Sequence, residues 1–545
     1  PELPGRPGDE RLRDLEAQVR RRMPWAHAFS VNDLLQWPGM LDEQTPDAEV
    51  LSARCLELAG AALAVVSPWR VLRDALALVI PALGTVAGIW LFATTAQHGT
   101  IAHSVGLFTG GVAIPFAADA LSAVMIVAAS IVAFASNWFA LVVGETRARF
   151  YPALTLMLLG GVYGALLTAD LFNLFVFIEV MLLPSYGLIT MTGSWSRLAG
   201  GRMFVLVNLL TSTVLLIGVS IVYGVIGTVN LAALAGAAKG NGPLTVAMGL
   251  VVLALSVKSG LFPVHTWLPR TYPGTSAAVM GLFSGLHTKV AVYALYRIYV
   301  VVFDLDQRWA WTIIIFCVVS MLVGSFAGLA EHAMRRIIAY QMVTGMPYIV
   351  VMLAFSADDP TRAVAAGIVY MVHHMITVGS LVLTAGAIEE TYGTDLLSRL
   401  DGLARRDPLV AAVFAMGAFS IVGFPPFSGL WGKVLVVTEI ARAGDWHAWL
   451  VIAVIIVASF GALLSMIRLW REVFWGGNVQ LPDGLYVPLT KLAPGAALIV
   501  VSVGMFIAGG ALIDAAMTAA SGLLDVSGYQ HAILGDVNAA IGVVK

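Results

Sequence analysis

An all-α, polytopic membrane protein is the fold class this sequence predicts, and three observations predict it. Of 545 residues, 59% are hydrophobic and only 12% are charged, about half the charge fraction of an ordinary globular domain. Beyond residue 50 the chain is an almost unbroken series of apolar stretches, each of about 18–25 residues, the length that spans a bilayer as a helix. Arginines gather in alternate short loops, as they do on the cytoplasmic side of membrane proteins.

Taken in order, the elements divide as follows. Residues 1–50 form a polar extension: DERLRDLEAQVRRR reads as a short amphipathic helix and WPGMLDEQTPDAEV as turn-rich. Its basic run is not followed by an apolar core and cleavage site, so it does not read as a signal peptide. Fourteen spans follow, over 51–67, 73–94, 119–141, 151–169, 171–191, 203–225, 244–260, 275–300, 310–330, 336–355, 363–387, 408–438, 449–469 and 494–519. The first is the weakest, because Arg54 and Glu57 interrupt it. Asp170 alone marks the boundary between the fourth and fifth. Residues 520–545 read as a polar tail.

The loops after odd-numbered spans carry Arg70 and Arg73, Arg147 and Arg149, Arg197 and Arg202, Arg270, Arg335 and Arg336, Arg399, Arg405 and Arg406, and Arg471. The other loops carry few basic residues. The first set is therefore expected in the cytoplasm. An even span number then puts both termini outside, which conflicts with the arginine-rich leader 11–22 and makes either the leader or the first span atypical.

Two spans are longer than one straight crossing. KSGLFPVHTWLP and SIVGFPPFSGLWGK carry Pro263, Pro425 and Pro426 with flanking glycines, which are expected to interrupt the helices within the membrane. Paired discontinuous helices in two halves of a chain mark an ion path and an internal repeat. Lys258 precedes its break and Lys433 follows its own, an order that suits two inverted repeats, 151–300 and 310–469, behind three leading helices, 51–141. The alternative is that the prolines only kink helices for packing.

Three of the six lysines, Lys258, Lys289 and Lys433, lie in these spans, and Glu179 lies mid-span in NLFVFIEVMLLPSYG. A charge in hydrocarbon costs several kcal/mol unless it faces protein or a water-filled path. Such groups, spread over several helices, point to proton movement. Burial brings lysine and carboxyl pKa values toward one another, so small changes in geometry shift a proton between them. The bland alternative is a static buried ion pair. His265 follows the first break, and His373 and His374 sit together in YMVHHMITVGS. Histidine titrates near neutrality and passes a proton through either nitrogen. Asp170, about 13.5 Å along the helix from Glu179, reads equally as relay residue and helix cap. So does Asp119.

Several classes are excluded. Net charge is near zero, giving no nucleic-acid signature. Cys55 and Cys317 stand alone and read as small buried hydrophobes. There is no CxxC pair, no dinucleotide or phosphate loop, and no carboxylate or cysteine at ligand spacing from the paired histidines. No cofactor, no metal and no enzymatic catalysis are expected.

FAADALSAVM (116–125), LMLLGGVYGALLTADLFNLFVFIEVMLLPSYGL (156–188), VKSGLFPVHTWLPRTYPGTSA (257–277), GLFSGLHTKVAVYALYR (281–297) and GFPPFSGLWGK (423–433) resemble the antiporter-like membrane subunits shared by multisubunit Mrp-type Na⁺/H⁺ antiporters, respiratory complex I and membrane-bound hydrogenases. The resemblance covers about 51–519 and is nearest to the D-type subunits of the Mrp branch. It implies a multi-pass protein of the bacterial plasma membrane that translocates protons in exchange for Na⁺, among A-like and small membrane subunits. It also implies that Glu179 is the essential glutamate, Lys258 its partner lysine, Lys289 the next relay lysine and Lys433 the lysine of the second broken helix. A lysine at 433 fits this branch or the largest complex I subunit, which carries a long lateral helix after its last span; here about 26 residues follow.

Two departures stand out. Where the family often has a lysine after the histidine pair, this chain has Thr377 and Val378, leaving the histidines to cover the gap. The tenth span begins EHAMRRIIAY instead of acidic–apolar–Lys–Arg. Two other readings are a proton-pumping member of a redox complex and a structural membrane component with a degenerate channel.

Overall fold

The computed structural model describes residues 47–105, 114–191, 195–476 and 484–535; most of the predicted leader lies outside them. The described chain is helical apart from one small hairpin. Eleven of its helices are long and apolar enough to cross a membrane, and four shorter apolar helices accompany them. The described residues from Glu49 onward group into one unit.

Helix α1 spans Asp47–Val66 and α2 spans Arg70–His98. They pack through Ala61, Ala64 and Ile80, and α1 also meets Ala153 and Leu156. The antiparallel hairpin follows, β1 (Ile101–Ser104) against β2 (Pro115–Ala118), with Ile101 opposite Ala118. These strands of four residues each are too short to show an alternation legible in the sequence.

α3 (Ala120–Val143) starts at a capping box in which the Asp119 side chain takes the Ser122 N–H and the Ser122 hydroxyl takes the Asp119 N–H. α4 (Tyr151–Leu167) and α5 (Leu171–Thr190) meet where Asp170 is expected to divide them. α6 (Trp195–Ile226) leads to α7 (Gly242–Ser259), the short α8 (Trp267–Thr271) and α9 (Ala277–Val301). Then come α10 (Ala310–Ala327), α11 (Met334–Val350), α12 (Pro360–Tyr392) and the one-turn α13 (Leu403–Arg406). They are followed by α14 (Pro408–Val422), α15 (Gly429–Arg442) and α16 (Trp446–Trp470).

The stretch 494–519 reads as one span, but α17 (Leu489–Ile507) gives way at Ala508 to α18 (Gly509–Leu524). Gly509 and Gly510 at the joint have little helix preference. Within the expected tail, residues up to Leu524 complete α18, and α19 (Val526–Leu534) buries Tyr529 and Ile533.

Burial orders the helices. Every residue of α9 is buried, and α11 and α12 are nearly so. By contrast α2 exposes Val79, Leu83, Val86, Ile89 and Trp90, the apolar face a lipid-contacting helix presents. Lys289 and the His373–His374 pair therefore lie on helices with almost no lipid face.

Both proline-bearing stretches leave the helix. α7 stops at Ser259, where Gly260 adopts φ +80°, and α14 stops at Val422, where Gly423 adopts φ +101°. A residue with a Cβ is strained in this left-handed region. Backbone groups freed at the first break find side-chain partners: the Trp267 indole N–H donates to the Val257 carbonyl at 2.9 Å, and Phe262 N–H donates to Ser320 Oγ at 2.9 Å. Trp267→Phe retains the ring packing but removes one of the two hydrogen bonds at the Val257 carbonyl, which keeps the Gly260 N–H at 3.1 Å. It is expected to lower stability by about 0.5–1.5 kcal/mol, read as an earlier midpoint in a detergent unfolding titration.

Candidate functional site

Two polar clusters lie inside the bundle, and α9 reaches both. In the first, Glu179 stands on α5, half-buried, with Oε1 enclosed and without a hydrogen-bond partner. Lys258, at the end of α7, is an electrostatic neighbour of Glu179. The two make no direct ion pair; the Lys258 ammonium instead donates to Ser212 Oγ of α6 at 2.9 Å. His287 of α9 also faces Lys258, and its Nε2 lies 2.9 Å from Ser185 Oγ. Its ring rests on Phe283, with centroids 4.4 Å apart.

Two residues after His287, and so on another face of α9, Lys289 is fully buried and donates to the Ser284 carbonyl at 2.7 Å. Its electrostatic neighbour is His374 of α12. His374 Nε2 lies 3.3 Å from the Gln341 carbonyl of α11. Adjacent His373 places Nδ1 2.8 Å from Ser428 Oγ, beside the second break.

From there a hydroxyl cluster extends. Thr377 Oγ1 is 3.2 Å from His373 Nδ1 and 2.8 Å from Ser420 Oγ, and Ser502 Oγ is 2.8 Å from Ser428 Oγ. Thus Thr377, beside the missing lysine, is part of this network, and Val378 is buried. His373 faces Lys433 electrostatically. The half-buried Lys433 donates to the Val422 carbonyl at 2.8 Å and to Ser459 Oγ at 2.9 Å. Its ammonium also sits 5.5 Å from the centre of the Tyr348 ring, within cation–π range.

The sequence-predicted residues therefore fall into a row of two groups joined by α9: Glu179 and Lys258, with His287 added by the structure, then Lys289, His374, His373 and Lys433. Two stand outside it. Asp170 caps α5, accepting the Asn173 N–H at 2.8 Å, and this fits its cap alternative. His265 stacks on Phe262 in the first break, with Nδ1 enclosed and unpaired.

Static ion pairing occurs elsewhere. Asp119 Oδ2 meets Arg297 Nη1 at 2.6 Å, both side chains buried. Arg297 also donates to Tyr293 Oη at 2.9 Å, and its guanidinium lies 5.3 Å from the rings of Tyr293 and Tyr529. No lysine of the row forms an ion pair among the described residues.

At the end of the bundle bearing the arginine loops lies a polar cavity of about 530 Å³, lined by Arg270, Glu331, His332, Arg335, Arg336 and Glu389 among others. Arg335 pairs with Glu389 at 2.6 Å and donates to the Thr275 carbonyl at 2.6 Å. Nearby, Ser276 at the start of α9 donates at 2.7 Å to Oε2 of Glu145 in the loop after α3, while burial pushes the Glu145 carboxyl above its ordinary range. A second cavity, about 310 Å³ and apolar, adjoins the first break at Val257, Leu261, Phe262 and Pro263; no residue of the charged row lines it.

Serine and threonine partners are what the sequence conceals. Ser185 and Ser320 bond their own helix carbonyls at 2.7 Å, so they sit in apolar spans at little cost and give no compositional signal. Ser420 and Ser428, both inside the second break motif, are the ones legible from their context. Among the described residues no group of three metal-ligating side chains occurs.

The transmembrane family described as NADH:quinone oxidoreductase/Mrp antiporter matches residues 168–461, a stretch containing the whole charged row. The D-type subunit of the Na(+)/H(+) antiporter of Alkalihalophilus pseudofirmus is 32% identical over 457 residues, covering 82% of this chain and 91% of that protein. Its counterpart in Bacillus subtilis is 31% identical, covering 74% and 81%. Among solved structures, a chain of the Mrp complex from Dietzia sp. DQ12-45-1b superposes with a TM-score of 0.85 at 38% identity, covering 90% of this chain and 99% of that one. A chain of respiratory complex I from Thermus thermophilus, at 23% identity and a TM-score of 0.75, shares the fold. The chain belongs to the NADH:quinone oxidoreductase/Mrp antiporter membrane family, among the D-type subunits of Mrp-type Na⁺/H⁺ antiporters.

Proposed function

We propose that protons cross this protein along Glu179, Lys258, Lys289, His374, His373 and Lys433, and that the movement is exchanged for Na⁺ in a multisubunit complex of the bacterial plasma membrane. One observation carries the reading: three lysines inside the bundle are held by neutral acceptors only. Lys258 has Ser212, Lys289 has the Ser284 carbonyl, and Lys433 has Ser459 and the Val422 carbonyl. An ammonium locked to a carboxylate is strongly favoured over its neutral form, and losing the proton orphans the carboxylate. An ammonium on hydroxyls and carbonyls has no such anchor, and desolvation disfavours its charge. Such a group takes up and releases a proton readily.

His287, on α9, is the natural link between Lys258 and Lys289. His265, within the first break, serves as an access point to Lys258. Asp170 is assigned to the cap, with entry to Glu179 as its second role. In place of the family's usual lysine, the His373–Thr377–Ser420 hydroxyl cluster links Lys289 to Lys433. We read the two interrupted stretches, α7–α8 and α14–α15, as discontinuous transmembrane helices of inverted repeats in a fourteen-span chain. Their freed carbonyls support this: Val257 takes Trp267, and Val422 takes Lys433 itself. A-like and small membrane subunits are the proposed partners.

Lys289→Leu tests the row at its innermost point. The substitution removes a fully buried charge, so the chain is expected to persist in the membrane while Na⁺-driven proton exchange in everted vesicles falls to background. Exchange at the unsubstituted rate rules out a path through α9. Peptide identification of co-purifying proteins provides the second check. Small antiporter subunits accord with Na⁺/H⁺ exchange, whereas iron–sulfur subunits indicate a redox-driven pump.

A further inference from the structure

Among the described buried acids outside the row, Glu57 has neither a cation nor a helix cap to explain it. Glu57 lies on α1, outside the stretch matched by the family, and is 0% exposed. Neither of its carboxyl oxygens makes a hydrogen bond of ordinary geometry, although the Tyr163 hydroxyl lies within interaction range. It forms no ion pair among the described residues. α1 packs against α2 and α4, and the charged groups of α2 near this packing are engaged elsewhere: Arg70 pairs with Asp74 at 3.3 Å, and Arg73 donates to the Arg149 carbonyl at 3.2 Å. From α4 the facing polar group is the Tyr163 hydroxyl. That hydroxyl is already held in a very short hydrogen bond with Ser130 Oγ of α3, and Ser130 in turn donates to the Ile126 carbonyl at 2.5 Å.

The arrangement is built for a phenol. An added Cβ at Gly84 of α2 would collide with Tyr163 Oη and come within 3.1 Å of Ser130 Oγ, so only glycine leaves room for the hydroxyl pair. An ionised carboxylate in these surroundings, without cation or hydrogen bond, costs many kcal/mol, and such a group takes a proton instead. A neutral acid needs only one modest partner.

We propose that Glu57, with Tyr163 and Ser130, forms a second proton-binding site in this chain, separate from the Glu179–Lys433 row, in which Glu57 carries an exchangeable proton as a neutral carboxylic acid. Ser130 gives its own proton to the Ile126 carbonyl, so the phenol donates to Ser130 and leaves its oxygen free to accept from the acid. The protonated carboxyl donates to that oxygen, no covalent O–H bond is exchanged within the site, and no charge is left in the apolar interior. The ligand is a proton, and the site joins the leading helices, through Glu57 and Ser130, to the first helix of the first repeat, through Tyr163.

Infrared difference spectroscopy on the intact complex in membranes, in H₂O and D₂O, tests this. A carboxylic-acid carbonyl band is expected that shifts on deuteration, disappears in Glu57→Gln and moves in frequency in Tyr163→Phe. Glu179→Gln is expected to leave it in place, which separates this site from the proposed row. A band retained in Glu57→Gln overturns the assignment. So does a carboxylate signal that Glu57→Gln removes, and a band that Tyr163→Phe leaves unmoved overturns the bond from the acid to the phenol. Should Glu57→Gln fail to assemble, Glu57→Asp keeps the acid and Tyr163→Phe keeps the ring. Either then reads the same band, and one that neither shifts rejects the site.

Discussion

Glu179→Gln is expected to reduce Na⁺-driven proton exchange in everted vesicles about a hundredfold or more, the scale on which a positioned proton carrier contributes. Glutamine retains the shape and the half-buried placement on α5 and removes only the ability to ionise. Among the described residues Glu179 has no salt bridge to lose, and its Oε1 is already unpaired, so the substitution breaks no contact that holds helices together. Lys258 keeps its bond to Ser212. The expected phenotype is therefore normal abundance in the membrane with exchange abolished. Membranes containing normal amounts of the variant and exchanging at the unsubstituted rate would remove Glu179 from the path.

Arg297→Met is expected to act on the opposite quantity. It strands Asp119, which is buried at the start of α3 with its Oδ2 aimed at the missing guanidinium. Breaking one side of a buried pair costs about 3–5 kcal/mol, a large part of the stability of most proteins. The cation–π contacts to Tyr293 and Tyr529 are lost with it. Little assembled protein is expected, and what remains should unfold early in a denaturing-detergent titration. Asp119→Asn combined with Arg297→Met should recover part of the loss, because asparagine still caps α3 while no uncompensated charge remains. A double variant as unstable as the single one would show that the arginine acts through packing and not through its charge.

The span pattern is legible in the sequence because hydrocarbon length sets it. Both helix interruptions are legible because proline and left-handed glycine admit little else. Lysine and glutamate are conspicuous in apolar stretches, so the members of the charged row stand out as well. What the sequence conceals has physical causes. Ser185, Ser212, Ser459 and Ser502 look like ordinary small residues in apolar spans, and Ser185 even satisfies itself on its own helix at the Met181 carbonyl, as helical hydroxyls can. Arg297 stands in a quoted motif, but its partner Asp119 lies 178 positions earlier, and no local pattern links them. Glu57 reads only as a flaw in the first span. α19 is hidden in the expected tail, because it is short and half polar and is defined by what Tyr529 touches.

Lys289 lies on a helix whose every residue is enclosed by protein, whereas Glu179 and Lys433 are only half covered. The row resembles an insulated wire with bared ends. Changes in lipid composition should leave its middle untouched and act, if anywhere, at the two terminals, which are also where a neighbouring conductor can be joined in series.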